Sequence, residues 1–444
     1  MRNVNSQPQA PAKKRTLLVI TRFTPLNGLS GTGTYLFSIL SYLHRQGVTV
    51  SVCWSERPDI ASRRGWWVVP KDLSRIATLL IPGSLSMGRL RLFPSVFLDP
   101  LKRSIRRAVK AVVLALGLGP MFGKNRPQTG ECAPILNPEP PVDPYAWDRP
   151  PNPYEHAFFG NAIARIQPDA LMFNYCWMSP IVQSLADPAR FLKITLTYDL
   201  RHIHSTLVKG KIQWREGEFM SKELEMDYLR AADVIVAIRE DDAGTFRGLL
   251  PGKEVVTAYP ALTPCPSSRV PLPNRCLFVA ADNLANREGL LWFLDEAWPK
   301  VRAANPSAQL HICGTICRTL TTTPPGVVLL GFVDSLQSVY GEASVVIVPL
   351  LRGSGVKIKL MEALAHGKAC VSTPIGAEGL PTLDSCVAIA GTADEFAAKV
   401  LHLLGEGPFR STLEQRASAT VAKEFSADAC YGPLRTLIQK PRLP

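Results

Sequence analysis

The run Ala343-Ser-Val-Val-Ile-Val-Pro-Leu-Leu351, followed at once by Arg352-Gly-Ser-Gly-Val-Lys-Ile-Lys-Leu-Met-Glu362, constrains the fold more than any other stretch of this chain. An unbroken apolar run is what a strand buried on both faces of a parallel sheet requires. Gly353 and Gly355 let the backbone leave that strand sharply, and the residues after them take helical spacing. A helix N-terminus set there attracts an anion, and Lys357 and Lys359 add compact positive charge suited to a diphosphate. Counted along a helix, Gly355, Lys359, Glu362 and His366 share one face, while Ile358, Met361, Leu364 and Ala365 supply a buried one. Glu362 on the ligand side suits vicinal hydroxyls such as those of a ribose. A solvated Lys/Glu face has the same pattern, so this run alone leaves both readings open.

The residues that follow favour the first. Gly367 reads as a helix C-cap, Lys368–Pro374 as the next strand, and Ile375–Leu380 as a second tight loop at the same sheet edge, where open α/β sheets bind ligands. Strand-like runs alternate with helical ones along the whole chain. Thr16 to Phe23, Val48 to Ser55, Ala170 to Trp177, Phe191 to Asp199, Asp233 to Ile238 and Glu254 to Tyr259 form a first set; Arg275 to Ala281, Ala308 to Thr315, Val327 to Val333, Ser344 to Leu351, Lys368 to Thr373 and Ser385 to Ala390 form a second. Between the sets lies Pro260–Pro273, whose five prolines make a semi-rigid linker. The expectation is α/β, with two doubly wound Rossmann-like domains facing a central cleft: residues 1–260, a linker at 261–274, residues 275–425, and a helix over 426–444 returning toward the first domain. Residues 127–153 hold nine prolines and read as an irregular surface excursion.

The passage RGSGVKIKLMEALAHGKACVSTPIGAEGL resembles the donor-site segment of the group one retaining glycosyltransferases, family four, which have the GT-B fold. LFVAADNLANREGLLWFLDEAWPKVRAANPSAQLHICGT and GVVLLGFVDSLQSVYGEASVVIVPL match the rest of that donor domain in order and spacing. The resemblance is strong from residue 275 to about 437 and rests on short pieces before that. It implies transfer of a sugar from a nucleotide diphosphate to an acceptor hydroxyl by front-face displacement, with no metal and no cofactor. The partners it implies are a nucleotide sugar and a glycan, glycolipid or small-molecule acceptor. It assigns a cleft-facing glycine turn to Gly31, Thr32 and Gly33. Asp199 matches the Asp of a His-Asp pair, Tyr198 takes the His position, and His202 is the nearest imidazole. Of the family's two helix glutamates, the second is Glu362 and the first falls on Ser354. The Arg and Lys of the first donor loop are replaced by Asn283, Asn286 and Arg287, of which Asn286 is expected to contact the donor; diphosphate charge is left to Lys357, Lys359 and Arg352, beside Gly353, Ser354 and Gly355. Base and ribose fall between Phe332-Val333 and Glu362.

Charge adds one further constraint. The net charge is +13, and residues 1–200 carry 24 Lys/Arg against 12 Asp/Glu, which leaves 26 against 25 for the rest. Nine cations between Arg89 and Arg126 face one acid, Asp99. Within that stretch, residues 102–116 suit either a helix lying on an anionic membrane surface or a domain helix with a basic rim. No aromatic-interleaved module accompanies the charge, so no nucleic acid is expected. No apolar run reaches the roughly 20 residues of a membrane span, and Leu17–Ile20 is too short for a signal core, so a cytoplasmic, at most peripheral, location is expected. The ten cysteines mostly lie in apolar runs, as reduced core thiols do. A non-catalytic nucleotide-sugar-binding or scaffold protein and a sugar epimerase of the same architecture remain as rivals.

Overall fold

The computed structural model describes residues 14–26, 31–55, 66–93, 149–203, 220–267, 269–333, 335–353, 355–380 and 385–441. The first strands are β1 (Thr16–Thr21), β2 (Thr49–Trp54), β3 (Trp66–Val68), β4 (Thr78–Leu80), β5 (Leu85–Met87) and β6 (Leu90–Leu92). They are followed by β7 (Ala170–Asn174), β8 (Leu192–Leu196), β9 (Val234–Ala237) and β10 (Glu254–Thr257). All but β3, β5 and β6 join one parallel sheet in the order β10-β9-β8-β7-β1-β2-β4. The second domain contributes β11 (Arg275–Val279), β12 (Gln309–Cys313), β13 (Val327–Gly331), β14 (Val345–Val348), β15 (Cys370–Ser372) and β16 (Val387–Ile389). These form a parallel sheet in the order β13-β12-β11-β14-β15-β16. Both sheets are doubly wound, as the alternating pattern predicts.

Period-two alternation puts successive residues of each strand into different cores. Leu17 and Val19 of β1 join one buried cluster, and Leu18 and Ile20 join another on the opposite face. Leu277 of β11 falls in the first of these, whereas Cys276 and Phe278 belong to a third cluster behind the second sheet. The first cluster is therefore continuous between the domains. Its bridge is the helix Ala427–Gln439, which packs on the helix Gly31–Arg45. Tyr42 donates to Asp428 Oδ1 at 2.7 Å, the Tyr431 and Ser38 hydroxyls lie 3.1 Å apart, and the linker amide of Ala261 donates to Tyr431 Oη at 2.8 Å.

Several expectations need correction. The first-domain helix begins at Gly31 rather than Tyr35, so Gly31, Thr32 and Gly33 are its opening turn and not a loop before it. The pattern also gave no sign of β4 or of the small antiparallel sheet β3-β6-β5. Of the nine cations between 89 and 126, Arg89 in the β5–β6 turn donates to the carbonyl of Val69 and Arg91 in β6 to that of Gly88. Arg91 is buried there. The other seven, in 94–126, lie outside the described residues, as do 127–148 of the proline-rich excursion. Among the described residues no helix is long and apolar enough to cross a membrane, and all nine cysteines are free thiols.

Candidate active site

The site lies at the carboxyl edges of both sheets, where the loops after β8 and β9 meet those after β11, β14 and β15. The helix Ile358–Ala365 is short and apolar on nearly every side: Leu360, Met361, Ala363, Leu364 and Ala365 are buried. Ile358, placed by helical counting on that buried face, is instead 48% exposed. Lys357 caps the helix, and Gly355 precedes it rather than sharing its face. Gly355 has φ 73°, and a Cβ there would lie 3.4 Å from the Tyr198 carbonyl oxygen of the first domain. The left-handed backbone calls for glycine at this point, and the Tyr198 carbonyl lies within van der Waals reach of it.

The two lysines are held differently. Lys357 turns back into its own loop, its Nζ donating to the carbonyls of Gly353 at 3.1 Å and Gly355 at 2.9 Å, and stands 3.8 Å from Glu378 Oε2. Its side chain is 5% exposed, and burial lowers its pKa. Lys359 donates to Asn286 Oδ1 and lies 5.8 Å above the Phe278 ring. Burial, helped by the neighbouring Lys357 charge, brings its pKa down to about 8. Asn286 is oriented in turn by its own amide, which bonds Asn283 Oδ1, and by Nδ2, which donates to the Ala281 carbonyl. Gly289 lets the helix Leu284–Trp292, which carries Asn286, come close to the end of β14, since a Cβ there would fall 2.2 Å from the Pro349 carbonyl oxygen. Asn286, which the sequence placed on the ligand, is thus buried and holds Lys359. Arg352 pairs with Glu288, and Arg287 with Asp282. Ser354 lies outside the described residues.

Glu362 is half-buried and accepts from the Tyr340 hydroxyl at 3.2 Å. Burial raises its pKa, and the tyrosine bond opposes the rise. Tyr340 is fully buried and stacks on His366, with centroids 4.3 Å apart. Periodicity alone could not find this support for Glu362. Phe332 is 84% exposed beside the half-buried Val333, leaving a free aromatic face at the end of β13.

On the opposing edge Tyr198 stacks on Tyr175 at 4.4 Å and meets Tyr35 edge-on at 5.5 Å. Its hydroxyl donates to Asn174 Oδ1 at 2.6 Å, and burial pushes its pKa well above the usual tyrosine value. Thr32 reaches the same cluster, its hydroxyl 3.1 Å from that of Tyr175. Gly31 is exposed and Gly33 buried. Asp199 faces Arg201 at 3.7 Å. His202 is tied to the buried Glu225, which accepts its Nδ1 at 2.6 Å and the amides of Arg201 and His202. The structure therefore brings Asp199 and Tyr198 to the loop of Lys357, and commits His202 to a glutamate that sequence reasoning missed. Among the described residues no group of three or more His, Cys, Asp or Glu is placed to hold a metal ion.

Comparison with known proteins agrees with this geometry. Residues 273–406 match the family model described as "Glycosyl transferases group 1". A Klebsiella pneumoniae protein described as an uncharacterized 44.6 kDa protein in the cps region is 30% identical over 115 residues, 22% of this chain and 28% of that relative's length. The fold is that of TarM (TM-score 0.61, 9% identity, 96% of this chain and 99% of that one). It is also that of Anabaena HepE, solved with UDP and glucose (TM-score 0.57, 10% identity, 96% and 99%). Residues 273–406 thus match the group 1 glycosyltransferase model, and the chain as a whole has the two-domain GT-B fold of these glycosyltransferase structures.

Proposed function

We propose that the protein is a retaining glycosyltransferase that moves a sugar from a nucleotide-diphosphate donor to an acceptor hydroxyl. The observation that carries this reading is the pair of half-buried and buried ammonium groups, Lys359 and Lys357, at the carboxyl end of β14, facing the Tyr198–Asp199 edge of the first domain. A diphosphate fits between them, ribose hydroxyls on Glu362, and the base against Phe332 and Val333. In the reaction the bond from the anomeric carbon to the diphosphate oxygen breaks while the acceptor oxygen bonds to the same face. The acceptor proton passes to the departing diphosphate. Lys357 and Lys359 stabilise the charge that grows on it, the largest contribution the protein makes. Asp199, set by Arg201, orients sugar hydroxyls.

HepE, bound to UDP and glucose, supports a uridine donor, and the cps region of the Klebsiella relative supports a role in envelope polysaccharide or glycolipid synthesis. An acceptor on the inner leaflet suits the basic character of residues 1–200 and a cytoplasmic, peripheral site of action. The non-catalytic reading draws on Ser354, where the family has a glutamate, and on Tyr198, whose hydroxyl is already spent on Asn174. Release of free nucleoside diphosphate from a panel of nucleotide sugars, only when acceptor is added, supports transfer. A folded protein that binds the nucleotide sugars and never turns them over supports the rival. Retention is read from the anomeric configuration of the product by NMR.

A further inference from the structure

A second interaction crosses the domains beside Lys357. Arg239, at the end of β9, sends Nη1 to Glu378 Oε1 of the second domain at 3.4 Å, and the other oxygen of Glu378 stands 3.8 Å from Lys357 Nζ. The guanidinium is itself fixed. Its Nε donates to Asp242 Oδ1 at 2.8 Å, and the backbone of Gly379 leaves no room for a Cβ, which would fall 2.7 Å from Arg239 Cδ. Asp242 is 1% exposed and Arg239 12%. An ammonium has three donors, and Gly353 and Gly355 occupy two of those of Lys357. The third is contested between Glu378 and any anion that enters.

Resting on the nucleotide-diphosphate reading, we propose that Arg239 is a positioning residue. It holds the Glu378 carboxylate off Lys357 and so keeps that ammonium available to the diphosphate. Among the described residues the charged groups around Lys357 are Glu378, Arg239, Asp242 and Lys359. Without Arg239, Lys357 is the one remaining ion-pair partner of Glu378 among the described residues, and the carboxylate closes on it and competes with the ligand. Because Arg239 belongs to the first domain and Glu378 to the second, parting the domains has the same effect. The diphosphate site is then complete only when the cleft is closed.

The test is a double-mutant cycle on the full chain, with UDP and uridine as probes in calorimetry. Arg239→Gln weakens UDP about tenfold, the order expected for one charge pair at a partly screened site, and leaves uridine unchanged. Adding Glu378→Gln restores UDP binding to within about twofold of the parent. Since Arg239→Gln leaves buried Asp242 without its partner, Arg239→Gln/Asp242→Asn is measured beside it and behaves alike. A readout free of nucleotide comes from competitive acetylation, which follows the titration of Lys357 by mass spectrometry. Arg239→Gln raises the Lys357 pKa, and most of the rise vanishes in the Glu378→Gln background. A double variant no better than Arg239→Gln, or an equal rise in both backgrounds, overturns the proposal. A parent that binds no UDP refutes the uridine donor instead, and the Lys357 titration then decides the role of Arg239.

Discussion

Raising the pH should switch off the diphosphate site, because Lys359 titrates at about 8 rather than 10.5. Its ammonium is about nine-tenths protonated at pH 7 and about a tenth at pH 9. A unit charge about 4 Å from a phosphate is worth up to about 4 kcal/mol at an effective dielectric of 20, and partial exposure of the lysine roughly halves that. UDP affinity should thus be level below pH 7 and fall about thirtyfold between pH 7 and pH 10, with the steepest decline beyond 8. Calorimetric Kd values across this range measure it. Lys359→Arg keeps its charge throughout and should remove the break; Lys359→Gln should be weak and level from the start. Ionisation of the nucleotide itself is common to all three proteins and cancels in the comparison. Stability runs in the opposite sense. The folded pKa lies below the unfolded one, so the unfolded chain binds more protons between about 8 and 10.5, and the free protein gains stability as pH rises through that window. A parent whose UDP affinity is level from pH 7 to 9.5 refutes the reasoning.

Glu362→Ala should abolish UDP binding while leaving inorganic diphosphate binding intact, and should lower stability by about 1–3 kcal/mol because the buried Tyr340 hydroxyl loses its acceptor; loss of diphosphate binding as well would reject the ribose assignment. Gly355→Ala, at φ 73° and against the Tyr198 carbonyl, should cost about 1–2 kcal/mol, seen as a lower Tm, and reduce kcat by disturbing the Lys357 loop. In the first domain, Arg22 and Glu155 form a bidentate pair whose side chains are 1% and 6% exposed, and Arg22 together with bonds from Asn152 and Ser55 holds the Glu155 pKa down to about 2 against its burial. Glu155→Gln should cost about 3–5 kcal/mol in urea unfolding at neutral pH. The parent holds this stability above the unfolded value of 4.5 and loses it as pH falls toward 2; the variant should show no such dependence from this group.

The two sheets were legible because each long strand is a continuous apolar run, and such runs name their own fold class. What the pattern missed was short or distant. Three-residue strands such as β3, β5 and β6 bury too little to leave a period, and Leu85 and Met87 are exposed. The helix at Gly31 starts inside what glycine content marks as a loop, because helix formation is decided there by packing rather than propensity. Ile358 was misplaced because the helix is capped at Lys357, so its first turn lies outside the packed part. Lys357, Lys359 and Glu362 could be singled out from eleven consecutive residues. The groups that tune them could not: Tyr340, Glu378 and Arg239 come from three other segments, and Asn286, singled out for the ligand, shows its hold on Lys359 only in the fold.

The helix Ala427–Gln439 has a consequence for how the molecule is made. Tyr42 waits 386 residues for Asp428, and the face of Gly31–Arg45 that carries Ser38 and Tyr42 is covered only when those late residues arrive. During synthesis the first sheet can pair its strands well before then, at ribosomal rates of roughly 5–20 residues per second. One apolar flank nonetheless stays open for tens of seconds at those rates, while the whole second domain is being made. The nascent protein therefore passes through a stage in which its first half is ordered yet sticky, a stage that a product truncated before Ala427 never leaves.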